Sequence, residues 1–168
     1  MSVNTRLLIA IDASVASDQA VAYVADMVQG KPEVEILLFH VAAPMPPELL
    51  EFGGRENPAA EQGAEVRLHH AQDVWRAQVT REVQPVIARA QSFLRDRAVP
   101  EHAVATQIAT PPSGEALDTT ILEAARQEHC GTIVVGRTAF SWWHALVRQH
   151  LADTLLQQGQ GLALWVVQ

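Results

Sequence analysis

The chain predicts a single doubly wound α/β domain, residues 1–168, built on a five-stranded, mainly parallel sheet with helices on both faces. Three observations point there. Short unbroken apolar runs, TRLLIAID and VEILLFHV being the first two, alternate with segments of helical period. Continuous rather than alternating hydrophobicity marks strands covered on both faces, as central parallel strands are. The connections between runs are long enough for right-handed helical crossovers and too long for hairpins.

Thr5–Asp12 is the first strand. Asp12-Ala13-Ser14 opens a turn, and Ser14 or Ser17 can cap a helix from about Ser17 to Val28, whose Ala20, Val21, Val24, Ala25 and Val28 share one face. Gly30-Lys31-Pro32 stops it. Glu33–Val41 is the second strand, followed by the breaker run AAPMPPELL. From Pro44 to about Ala64 the chain is rich in Pro, Gly, Glu and Asn without a sustained period, which predicts a long surface excursion with one short helix around Pro47–Glu51. The longest helical pattern runs from about Glu65 to Ala98, and Pro85 inside it predicts a kink or a break just before that residue. His102–Ala109 is a third strand, nearer an edge; Ser113 can start the helix Glu115–His129, with Leu117, Ile121, Leu122 and Ala125 on one face. Gly131–Gly136 is the fourth strand, Ala145–Gln158 a helix, and Leu162–Val167 the fifth strand.

Composition excludes several classes. Hydrophobic residues make up 48% and charged residues 18%, a globular balance, yet no apolar run approaches the ~20 residues that cross a bilayer. The start, MSVNTRLLIAID, has no basic segment ahead of a long apolar core, so a secretory signal is not expected and a cytoplasmic protein is. A net charge of −7 opposes general affinity for nucleic acid. The single Cys130 excludes an internal disulfide framework and a multi-cysteine metal site, and reads as a small residue at a helix end. His69 and His70 are adjacent, so on a helix they diverge and make a poor metal pair. His40 reads as a core histidine with a hydrogen bond. Neither a CxxC spacing nor a GxGxxG fingerprint after the first strand is present.

The first strand ends in IDAS, the second in LLFHV, ILEAARQEHCGTIVVG leads through the fourth, and a last strand closes the sequence. In this order and spacing they resemble the universal stress protein family over nearly the whole chain. In the ATP-binding members of that family the fourth strand is followed by Gly, two residues, Gly, nine residues, Gly and then Ser or Thr. Glycines let backbone N–H groups approach phosphate oxygens, and the hydroxyl adds a donor. Here those positions are Gly136, Ala139, Gln149 and His150, with Ser141 matching a serine common within the loop. A side chain at Gln149 occupies space that phosphates need. The resemblance also implies that Asp12 and Val41, at the ends of the first and second strands, flank base and ribose. Asp12 serves equally as a carboxylate near the positive end of the following helix. Arg137, His144, Arg148 and His150 bring basic groups into the loop, either as solvated residues or as side chains that hold an anion. Trp142-Trp143 is expected to be partly buried beneath that loop, or to form a contact surface.

The resemblance therefore implies inheritance of the fold with an altered phosphate loop. The expected protein is a dimeric, non-enzymatic stress-response protein that binds ATP weakly or not at all, with no assured cofactor and no metal. Two alternatives stay open: an adenine nucleotide-binding regulator, a slow ATPase included, resting on Gly136 and Asp12, and an anion or small-molecule sensor using Arg137, Arg148 and His150. The apolar strand Leu162–Val167 would lie at a sheet edge, where open hydrogen-bonding groups invite pairing. The family commonly dimerises through this strand, so a homodimer is expected, besides unidentified protein partners.

Overall fold

The computed structural model describes residues 5–50, 58–111, 116–137, 157 and 159–168. Five strands form within them: β1 Arg6–Ala10, β2 Glu35–Val41, β3 Val104–Ala109, β4 Thr132–Gly136 and β5 Ala163–Val167. Three long helices accompany them: α1 Val15–Val28, α2 Pro58–Asp96 and α3 Leu117–Gln127. The strands pair in the order β3-β2-β1-β4-β5, and every pairing is parallel. The expected strands and the α/β class are all found, with β3 and β5 at the two edges.

Strand side chains alternate between faces, and here both faces are covered. Leu7, Ile9, Ile36, Leu38 and Val134 pack with Val21, Val24 and Val28 of α1 and Val83, Ile87 and Leu94 of α2. Leu8, Ala10, Leu37, Phe39, Ile133 and Val135 pack with Leu117, Ile121, Leu122 and Ala125 of α3. Two covered faces account for runs without polar alternation. The chain moves from β1 through β2 to β3, then returns to place β4 on the other side of β1, so the sheet's switch point lies between β1 and β4. In such sheets ligands bind outside the carboxyl ends of the strands at that point.

Two helical expectations are corrected. The excursion predicted over 44–64 ends earlier, because α2 begins at Pro58. Proline suits a first helical turn, and Ala59 and Ala60 are strong helix formers that outweigh Gly63. Of the kink or break predicted before Pro85, the break is absent: α2 runs unbroken through it for 39 residues. Pro85 lies on the exposed side of the helix, while buried Val83 and Ile87 hold the helix to the sheet. At ~1.5 Å per residue α2 is about 58 Å long, against about 20 Å for a strand of six residues, so its first half extends beyond the carboxyl edge of the sheet. No residue from 63 to 82 is buried, in keeping with that projection. The short helix expected near Pro47 is a 3₁₀ turn, Pro47–Leu49, tied to α2 by Gln72 Nε2 donating to the Leu49 carbonyl at 2.7 Å. Ser113 and nearly all of the helix expected over Ala145–Gln158 lie outside the described residues.

Both α2 and α3 end in a Schellman motif whose left-handed residue is not glycine. In α2 the Val99 amide donates to Leu94 at 3.0 Å and the Ala98 amide to Arg95 at 2.9 Å, with Ala98 at φ 58°. In α3 Cys130 donates to Ala125 and His129 to Arg126, with His129 at φ 52°. A Cβ in this conformation costs roughly 1–2 kcal/mol, offset in part by the larger chain entropy of glycine. Ala98→Gly should therefore stabilise the fold by about 0.5–1 kcal/mol. An increased urea midpoint at unchanged m-value is the expected result; an equal or lower midpoint contradicts the strain.

Candidate functional site

The turn after β1 is held by its own side chains. The Ser14 hydroxyl oxygen accepts from the Ser17 amide at 3.1 Å and caps α1, while the Ser17 hydroxyl oxygen accepts from the Asp12 amide at 3.0 Å. The Asp12 carboxylate accepts from the Ser14 amide at 2.9 Å and from the Ser14 hydroxyl. Both serines proposed as caps are thus used, Ser14 for the helix and Ser17 for the strand end. Asp12 is buried and positions the start of α1, as its reading beside a helix amino terminus requires.

Beside this turn the β1–β2 ladder stops. Its last rung is Ala10 opposite Phe39, followed by one bond from the Ile11 amide to the Phe39 carbonyl at 2.8 Å. Alternate residues of a strand direct their backbone groups to opposite neighbours. Ala42 donates to Ala109 of β3, so Val41, like Phe39, faces β1. The next rung would bring the Val41 amide to the Ile11 carbonyl, but that carbonyl accepts from His40 Nδ1 at 2.8 Å. The Val41 side chain is buried against α3. Val41 is fully buried, backbone included, so it presents no surface to a ligand here.

His40 was expected as a core histidine with a hydrogen bond, and it has one. It also lines a cleft of about 440 Å³ between the ends of β1 and β2 and the wall of α2. Asp12, Ser14, Ala42 and Ala43 form one side, and Val79, Glu82, Val83 and Val86 the other. A carbonyl only accepts, so Nδ1 carries the proton and Nε2 a lone pair in the neutral ring. Burial lowers the imidazole pKa, against the Ile11 hydrogen bond and the Asp12 carboxylate, which both raise it. No apolar-run reading could find this wall, because α2 meets the strand ends only in the folded chain. A second cavity of about 310 Å³, lined by Gln91, Arg95 and Glu101, lies at the opposite edge, away from the switch point.

Across the switch point, Gly136 ends β4 against the first turn of α1. A Cβ at this position would stand 2.3 Å from the Ala16 carbonyl oxygen and 2.5 Å from its carbon. The glycine is required by helix packing whatever the loop beyond it holds. Arg137 follows, its amide donating to the Val167 carbonyl at 2.8 Å and its side chain exposed. The structure thus gathers Asp12, Val41, Gly136 and Arg137 at one edge. Ser141, Arg148, Gln149 and His150, with Ala139, His144, Trp142 and Trp143, lie outside the described residues. Among the described residues no group of three or more His, Cys, Asp or Glu could hold a metal ion, and no helix is long and apolar enough to cross a membrane.

Residues 4–159 match the sequence profile described as the universal stress protein family. The chain belongs to the universal stress protein family. No curated protein sequence matches it. Solved universal stress proteins share its fold at low identity. One from Burkholderia pseudomallei is 17% identical with a TM-score of 0.58, covering 99% of this chain and 98% of its own. A universal stress protein in complex with cAMP is 9% identical with a TM-score of 0.62, covering 99% of each chain. A family protein from Arabidopsis thaliana with AMP bound is 11% identical with a TM-score of 0.56, covering 97% of this chain and 90% of its own.

Two outcomes follow for this universal stress protein. Gly136→Ala forces the Ala16 backbone to shift and should cost about 2–3 kcal/mol, the upper range of overpacking. Urea unfolding reads it, and a loss below about 0.5 kcal/mol would contradict the close approach. His40 gives the second. Its folded pKa lies below the ordinary value of about 6.5, so between the two the unfolded chain holds more protons. The stability it contributes is complete above that value and is lost as pH falls toward the folded pKa. Urea midpoints from about pH 8 to about pH 5 should fall more for the natural protein than for His40→Asn; parallel curves would refute this.

Proposed function

We propose that this protein is a non-enzymatic, cytoplasmic, dimeric stress-response protein whose cleft receives the nucleoside part of an adenine nucleotide and holds ATP weakly or not at all. The observation that carries this reading is the contact between Gly136 and Ala16. The one glycine kept from the phosphate motif has a packing cause, so its survival is no sign of a working phosphate loop. The other motif positions are Ala139, Gln149 and His150, which supply side chains where open backbone is needed. The nucleoside end is better preserved: Asp12 is held by hydrogen bonds within its turn, and the cleft it lines is of ligand size. Relatives in complex with AMP and with cAMP support a ligand without a triphosphate chain.

The dimer is supported by β5. It has no strand beyond it among the described residues, and Val166 is 44% exposed. Tyr23, 46% exposed on α1, meets Trp165 edge to face at 6.3 Å, extending the apolar edge.

Calorimetry with AMP and with ATP and magnesium tests the ligand reading. AMP should bind at least as tightly as ATP; ATP binding tenfold tighter than AMP in the micromolar range would overturn it. Light scattering should give twice the 18.3 kDa chain mass, and Val166→Glu should return the single chain. A natural protein that stays single at micromolar concentration would remove the dimer from the proposal.

A further inference from the structure

We propose that His40 selects the ligands of the cleft, its Nε2 accepting a hydrogen bond from an N–H donor such as the exocyclic amine of an aminopurine. This rests on the nucleoside reading above and adds to it the residue and the chemistry of discrimination.

His40 is only 9% exposed and lines the cleft wall. Nδ1 is committed to the Ile11 carbonyl, which leaves the Nε2 edge for the cleft. Among the described residues nothing in the protein hydrogen-bonds that nitrogen. A buried acceptor without a partner is unfavourable, and a ligand donor relieves it. The tautomer is not adjustable while Ile11 holds Nδ1, so the neutral ring cannot turn Nε2 into a donor.

The rest of the lining agrees in sign. Among the described residues, the other titratable groups facing the cleft are the carboxylates of Asp12, from the turn after β1, and Glu82, from α2. The Ser14 hydroxyl spends its proton on Asp12. Among the described residues no Lys or Arg lines the cleft. A phosphate or a keto oxygen would meet lone pairs and negative charge, whereas an amino group meets acceptors. Val79, Val83 and Val86 supply an apolar wall for the flat face of a base. A site built to hydrogen-bond one group strongly rejects an analogue lacking it, because its buried polar atom is then left unpaired.

The test compares AMP with IMP, which differ by an amino group against a keto oxygen. Calorimetry on the natural protein should show AMP bound at least about tenfold tighter than IMP. His40→Asn keeps a donor for Ile11 but loses the Nε2 acceptor, and the preference should fall to about threefold or less. In the ¹⁵N-histidine-labelled natural protein, saturating AMP should move the His40 Nε2 resonance, and IMP at equal occupancy should not. Equal affinities for AMP and IMP, a preference unchanged in the variant, or an unmoved Nε2 resonance under saturating AMP would each overturn the role of His40 while leaving nucleoside binding in place. If neither nucleotide binds at millimolar concentration, the nucleoside reading fails and the role of His40 fails with it. Should the variant not fold, the resonance in the natural protein decides.

Discussion

The close approach of α1 to the end of β4 is the constraint on which the carboxyl edge of the sheet depends. The Ala16 carbonyl lies where a Cβ of residue 136 would be, so α1 can settle across the switch point only over a glycine. Because α1 starts so soon after β1, a shift of its first turn would also pull on Asp12, Ser14 and Ser17. Those three residues order the turn that borders the cleft. A packing requirement and a binding surface are therefore joined through one backbone contact, and a glycine at this place is needed by the first even where the second is altered.

The end of the β1–β2 ladder supplies the other half of the edge. A parallel ladder pairs its backbone groups until one strand departs, and here the His40 ring takes the bond that the next rung would have made. One side chain thereby takes up the Ile11 carbonyl and itself lines the cleft wall. The charge across the edge is uneven: Asp12 and Glu82 stand on the α2 side, and Arg137 on the β4 side. A ligand rich in donors suits the first, an anion the second. α2 contributes the apolar wall because it continues past the strand ends, with Val79, Val83 and Val86 at the level where the sheet gives way.

Much of this was legible residue by residue. Unbroken runs such as LLIA and ILLFHV could only be covered strands, and Ala20, Val21 and Val24 could only face a core from a helix. Ser14 was readable as a cap, since short hydroxyl side chains at a helix start have few other uses, whereas Ser17, the other candidate, sits inside α1 and bonds the Asp12 amide. Of the two outcomes open at Pro85, the break does not occur, because the anchoring of Val83 and Ile87 on both sides of it is a tertiary effect that a local average of helix-breaking strength does not record. The start of α2 was misplaced because Gly63 and the preceding prolines dominated a stretch whose helix propensity is set by Ala59 and Ala60.

By itself the sequence determined the layering, the order of strands and helices, the family, and the replacement of most glycines in the phosphate motif. These are properties of neighbouring residues, and hydrophobic period and motif spacing record them directly. Only the tertiary structure decided why Gly136 is a glycine, that Val41 is fully buried, and that His40, bonded to Ile11, lines a cleft walled by α2. Each depends on where one element passes another and where a ladder ends. Such contacts join residues distant in the chain, and local pattern carries no trace of them.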